Sequence, residues 1–377
     1  MKVVIAPDSF KGSMDSSAVA NYIERGILRV FPDAVIEKFA ISDGGEGLID
    51  SLIEAVGGRI IKKEVKGPLG QPVDSFLAVL ADEKTAVIEM AAASGLPLVP
   101  RGKANPLKTT TYGTGELIKA ALDEGISKLI IGIGGSATND AGVGMMQALG
   151  AQFLDNSRNE VSFGGGYLKD IKDIDLSKID FRLKDIKIEV ACDVDNPLYG
   201  ENGAAYIYGP QKGATEEMVK ILDRNLKHFS DIVKRELGVD LQHVPGTGAA
   251  GGMGASLFAF LNADLLPGSE IVLSLLHFED FLHDASLVFT GEGKTDIQTI
   301  NGKVPIGVAT LAKKYNVPVI SIAGEVEEKA CSLLNDKIDA LLSISQKPAT
   351  LEEAFVMTPE WIELSVEQIM RVYKINN

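Results

Sequence analysis

Three stretches combine glycine with carboxylates or hydroxyls, each directly after a short apolar run: Asp43-Gly44-Gly45-Glu46-Gly47, Gly134-Gly135-Ser136-Ala137-Thr138-Asn139-Asp140 and Thr290-Gly291-Glu292-Gly293-Lys294-Thr295-Asp296. Glycine lets backbone N–H groups close on an anion, and neighbouring carboxylates can hold the divalent ion that accompanies a polyphosphate. A fourth stretch, Asp8-Ser9-Phe10-Lys11-Gly12-Ser13, follows the first strand-like run. There Lys11 can meet an anion, Ser9 and Ser13 can donate to it, and Asp8 can hold a metal or the acceptor hydroxyl. Helix capping by Asp8 or Ser13 is the structural alternative. Phosphoryl transfer needs cations around the moving group and an acceptor for the attacking hydroxyl's proton. The expected catalytic groups are accordingly Lys11, Asp8 and Asp193. Asp193 ends a strand with Asp195 and Asn196, and an Asx turn competes with base or metal work there. Substrate or phosphate contacts are expected from Ser9, Ser13, Gly134, Gly135, Ser136, Thr138, Asn139, Lys212, Gly291, Gly293 and Lys294. Metal ligation is expected from Asp43, Glu46, Glu292 and Asp296, although Asp43 or Glu46 could instead cap the helix that starts near Leu48. These residues do not single out one general base.

Familiar signatures fail on inspection. Val288-Phe289-Thr290-Gly291-Glu292-Gly293-Lys294-Thr295 ends like a Walker loop, but Val288 stands where its first glycine belongs and Glu292 would crowd a phosphate. Gly246-Thr247-Gly248-Ala249-Ala250-Gly251 matches the dinucleotide fingerprint, yet Gln242-His243-Val244-Pro245 before it is a poor strand. Gly132 to Ala137 follows a real strand and has Asp155 downstream, which keeps a dinucleotide-dependent dehydrogenase open as an alternative. The four histidines show no metal-binding spacing.

The elements that must position these loops follow from periodicity. Val3 to Ala6 reads as a strand, Ser17 to Phe31 as a helix and Phe39 to Ser42 as a second strand. Leu48 to Val56 reads as a helix stopped by Gly57-Gly58. Ile60 to Val65, Ser75 to Leu80 and Thr85 to Met90 alternate like an antiparallel meander. After a strand at Lys128 to Ile133, another at Ile186 to Ala191 and a long helix at Glu216 to Glu236, strand and helix alternate again from Leu287 to a last helix at Pro359 to Tyr373. The expected fold is α/β with two domains. A Rossmann-like doubly wound domain comes from both chain ends, residues 1–65 and 270–377, interrupted by a mixed α/β domain, residues 66–269. A chain of 377 residues with 45% hydrophobic content can bury that much core. Its net charge of -15 argues against nucleic acid and anionic membranes as partners. Two cysteines, Cys192 and Cys331, fit a reducing compartment, and no apolar run has signal-sequence or membrane-spanning form, so a cytoplasmic location is expected.

Taken together these segments resemble the bacterial glycerate kinase family of the type that does without a Walker loop. The matching stretches are Ala6 to Ser13, Ser42 to Gly47, Thr109 to Glu116, Gly134 to Asp140, Cys192 to Leu198, Gly209 to Ala214 and Thr290 to Gly293, in the same order nearly end to end. Lys294-Thr295 departs from the arginine and aliphatic residue expected in relatives. The resemblance implies a two-domain enzyme that uses Mg2+ and ATP to phosphorylate D-glycerate, most often at the 2-position. Small molecules are then its partners, and the cleft between domains is expected to close on both of them. A non-catalytic sensor of glycerate or nucleotide is a further alternative.

Overall fold

The computed structural model describes residues 1–41, 47–297, 299, 302–334 and 337–376, and the chain divides into two compact units. The first comprises Met1–Asp43 and Pro267–Asn377. Its sheet is wholly parallel, in the order Ala340–Ser343, Val319–Val326, Leu287–Thr295, Lys2–Ile5, Val35–Lys38. Chain order reverses between Lys2–Ile5 and Leu287–Thr295, so the loops that leave these neighbours flank a switch point. Ligands of doubly wound sheets settle at such points.

Alternation along the central strands sends their apolar residues to both faces. Val3, Ile5, Leu287, Phe289, Ile320 and Ile322 form one core with Val19, Ile23 and Ile27 of the helix Ser16–Leu28 and with Trp361, Ile362, Val366 and Met370 of the helix Leu351–Asn376. Asp15 starts the first of these helices by accepting from the Ala18 N–H at 2.7 Å. The helices Gly268–Leu275 and Val304–Lys314 also bury apolar faces, through Ile271, Val272, Val308 and Ala312 among others.

Three local expectations change. The second strand is Val35–Lys38, an edge strand with little apolar content; Phe39 follows it, its N–H donating to Ile5 O at 2.8 Å and its ring packing edge-on against Phe278 and Phe281 at 5.1 and 4.9 Å, and Ser42 lies outside the described residues. The third glycine stretch is no loop: Gly291, Glu292, Lys294 and Thr295 continue the strand, paired with Ile322, Ala323, Glu325 and Val326. The last helix begins at Leu351 and carries Pro359 inside it. Proline has no N–H, so the carbonyl four residues earlier, Phe355, loses its helical donor. Ser13 Oγ donates to that oxygen at 2.9 Å. Ser13→Ala should therefore cost about 1 kcal/mol in the natural chain and much less after Pro359→Ala, whose new N–H can reach Phe355. Urea unfolding of the double-mutant cycle checks this, and equal costs in both backgrounds would refute the shared carbonyl.

The second unit is Gly44–Leu266. Its sheet runs Asp264–Leu266, Lys187–Ala191, Lys128–Gly132, Thr85–Glu89, Pro72–Leu80, Gly58–Lys66. The first four strands are parallel and the last two close an antiparallel meander. Gly58–Lys66 pairs with Pro72–Leu80 over its whole length, and Asp264–Leu266 pairs with Lys187–Ala191. Residues 47–65 thus belong to this unit and not to the first, and the return falls at Pro267 instead of 270. A small ribbon of Gln152–Leu154 and Asp173–Asp175 stands apart from the main sheet. Among the described residues no helix is long and apolar enough to cross a membrane.

Candidate functional site

In the first unit the loop after Lys2–Ile5 is tied to the neighbouring strand. Asp8 N–H donates to Gly291 O at 2.8 Å and Thr290 Oγ1 to Ala6 O at 2.8 Å. Asp8 is itself buried, and its Oδ1 accepts from the Ser9 N–H at 2.6 Å. Two glycines allow the close fit. A Cβ on Gly293 would stand 3.3 Å from Lys11 N and from Phe10 Cα, and Gly12 has φ +86° with the Phe355 ring 2.8 Å from where its Cβ would be. A cavity of about 530 Å³ opens here, with Asp8, Ser9, Lys11, Ser13, Glu292, Gly293, Lys294 and Asp296 all on its lining. Gly291 lies behind it in the sheet.

The carboxylates of this cavity enclose a residue absent from the sequence reading. Lys303 Nζ lies 3.8 Å from Glu292 Oε2 and 3.6 Å from Asp296 Oδ1. Glu292 also accepts from Thr299 Oγ1 at 2.6 Å and Thr295 Oγ1 at 3.1 Å. Burial raises the Glu292 carboxyl above its usual range, against the pull of the Thr299 hydroxyl, Lys303 and the Thr295 hydroxyl. Lys303 had a sequence signal. It is the N-cap of the helix that opens Val304-Pro305, where the helix dipole disfavours a cation, so a lysine there points to a use other than helix stability. Lys294, by contrast, pairs with Glu325 at 3.2 Å and Glu327 at 2.9 Å. Ser13 is engaged with Phe355, so its expected phosphate contact would compete with that bond.

The second unit holds another group of the expected residues. Beyond the carboxyl ends of Lys128–Gly132 and Lys187–Ala191 lies a cavity of about 460 Å³ lined by Gly134, Gly135, Ser136, Asp193, Tyr208 and Lys212, with others. Lys212 is only 1% exposed. Its ammonium donates to Ser136 Oγ at 2.7 Å and Thr138 O at 2.8 Å. Burial pushes its pKa down to about 7, and the nearby Asp140 opposes that shift. Asp140 accepts from Thr111 N–H and Oγ1 and from the Gly142 and Gly144 N–H groups, at 2.8, 2.9, 3.2 and 3.4 Å. Its carboxyl is raised by burial despite these donors, and its place is structural. Tyr208 Oη donates to Asn196 Oδ1 at 2.6 Å, which fixes the phenol on the cavity wall.

Thr138 and Asn139 lie fully buried behind that wall, not on it, with Thr138 Oγ1 and both Asn139 amide atoms lacking hydrogen-bond partners among the described residues. Asp43 and Glu46 fall outside the described residues. The expected residues therefore gather into two sets, one in each unit. The dinucleotide readings find no support in the geometry. Asp155 Oδ1 accepts from Ser157 and Asn159 N–H at 2.8 and 2.9 Å in its own turn, and no strand precedes Gly246.

Comparison with known proteins gives the family. The profile of the Glycerate kinase family matches residues 3–374. The chain belongs to the glycerate kinase family. It is 53% identical to "Glycerate kinase" of Bacillus subtilis (strain 168) over 375 residues, covering 100% of this chain and 98% of the relative. It is 54% identical to "Glycerate 2-kinase" of Escherichia coli (strain K12) over 355 residues, covering 94% and 93% of the two. A crystal structure from Salmonella typhimurium LT2 assigned to glycerate kinase 2 superposes with a TM-score of 0.86 at 49% identity, over 100% of this chain and 99% of that one. Family membership confirms the α/β fold and the resemblance drawn from the glycine-containing segments.

Proposed function

We propose that this protein transfers the γ-phosphoryl group of ATP to D-glycerate, with Mg2+, giving 2-phosphoglycerate. The observation that carries the reading is the switch-point cavity, where Lys11 and Lys303 stand among Asp8, Glu292 and Asp296. Two cations can spread the charge that grows on the equatorial phosphoryl oxygens. The donor set suits Mg2+, which is usually held by one or two carboxylates with phosphate oxygens and water completing its shell. Asp296 and Glu292 would hold the ion, with Lys303 turning to the phosphate. When bound, Mg2+ supplies neutralisation of the β- and γ-phosphate oxygens.

The second unit supplies acceptor chemistry in this reading. Lys212 and Ser136 bind the glycerate carboxylate, Gly134 and Gly135 present N–H groups beside it, and Asp193 takes the proton of the attacking hydroxyl. The 2-position is favoured because the Escherichia coli relative carries that name. The free thiols Cys192 and Cys331 fit a cytoplasmic enzyme with small molecules as its partners.

Phosphorus NMR of a reaction with ATP, Mg2+ and D-glycerate tests the reading. A phosphate ester at the 2-position sits on a carbon bearing one hydrogen, so the new monoester signal should be a doublet. A triplet would move the ester to the 3-position. No new monoester and no ADP would end the kinase reading.

A further inference from the structure

The cavity of the first unit has two chemically different ends. Asp8, Lys11, Glu292 and Lys303 make one end charged. The other is walled by Ile344, Leu351, Ala354 and Trp361, with Ser345 beside Gly324, while Phe355 lies between the two ends against Gly12. A triphosphate and a three-carbon hydroxy acid are polar throughout and leave this wall without a use. It lies where the strand Ala340–Ser343 ends and the last helix begins, so the cavity extends from the switch point past the carboxyl ends of the sheet. Its volume of about 530 Å³ exceeds what a phosphate chain alone would fill.

We propose that the apolar wall made by Ile344 and the first turns of the last helix binds the adenosine end of the nucleotide, with Ser345 accepting from the adenine amine. This rests on the kinase reading above. Continuity with the charged end commits the occupant: a ligand with an anionic tail and a flat apolar head matches both halves. The Ser345 hydroxyl donates to Gly324 O at 3.0 Å, so toward the cavity it offers acceptor lone pairs. The 6-amino group of adenine satisfies them, whereas the keto oxygen that guanine carries at the same position does not. The wall is also held in register with the phosphate end. The Ser13 to Phe355 bond and the packing of Gly12 on the Phe355 ring join the first turns of this helix to the loop that carries Lys11.

Ala354→Trp fills the wall and Leu351→Asn trims its exposed rim, where the side chain is 69% exposed and contributes little to folding. Calorimetric titration of the full chain compares Mg-ATP with inorganic tripolyphosphate, which has the tail and lacks the head. The affinity for Mg-ATP should fall about ten-fold or more in Ala354→Trp and about three-fold in Leu351→Asn. Tripolyphosphate affinity should stay within about two-fold in both, and the natural protein should prefer ATP to GTP by about ten-fold or more. Equal losses for ATP and tripolyphosphate, ATP affinity unchanged in both folded variants, or no preference over GTP would overturn the assignment. A natural protein that phosphorylates glycerate while the variants keep their ATP affinity removes the wall alone. A natural protein that binds neither ATP nor tripolyphosphate removes the kinase reading itself.

Discussion

Replacing Lys11 by alanine should lower kcat for ATP and D-glycerate by about 10²- to 10³-fold, the cost of removing one preorganised charge from a developing oxyanion. The melting temperature should move by no more than about 2 °C, because the side chain is exposed and the surrounding packing comes from its neighbours. The loop keeps its shape in the variant through Asp8 N–H to Gly291 O, the fit of Gly293 and the Phe355 contact of Gly12. A loss seen in kcat more than in the KM for ATP would place Lys11 in the transition state; a loss confined to KM would make it a ground-state binding residue. Near-normal turnover of a folded Lys11→Ala protein would remove it from the mechanism.

The second large effect belongs to Lys212→Met. The folded-state pKa of Lys212, about 7, lies below the value of 10.5 for the free side chain. Between these two pH values the unfolded chain holds a proton that the folded site has released, so this residue makes stability rise with pH. Below pH 7 both states are charged and the full cost of burial is present. Replacing Lys212 by the uncharged methionine should flatten that slope. The difference in unfolding free energy between natural protein and variant should therefore change by about 2 kcal/mol from pH 7 to pH 9, measured by urea titration. The variant should gain relative stability at the acid end.

Activity supplies the second readout. If the charged ammonium holds the glycerate carboxylate, KM for glycerate in the natural protein should climb as pH rises above 7, and Lys212→Met should show a high KM without that rise. An unchanged slope in stability would show that Lys212 is charged at all these pH values. A flat KM profile in the natural protein would take the ammonium away from substrate.

Much of the arrangement is legible in the sequence. The meander from Ile60 to Met90 shows alternation and turn residues, and the helix Leu48–Val56 ends where Gly57 was expected to stop it. Lys11, Glu292 and Asp296 line one cavity because each lies just beyond, or on the continuation of, an apolar strand, and parallel sheets gather such residues along one edge. Lys303 was missed because its significance lies in the carboxylates it faces. The apolar wall was missed because Leu351 and Ala354 look like an ordinary helix face in sequence, and Pro359 looked like the start of that helix.

The order and type of residues after each strand, the glycines that permit close approach and the placement of charge were fixed locally, by hydrophobic period and backbone freedom. Which carboxylate meets which cation was decided only in three dimensions. Thr290 to Thr295 became strand because Ile322 to Val326 offered hydrogen-bonding partners, and that pairing turned Lys294 toward Glu325 and Glu327. Ser13 found its acceptor 342 positions along the chain, at a carbonyl left open by a proline. Such partners are chosen by packing between distant segments, a property that no local propensity contains.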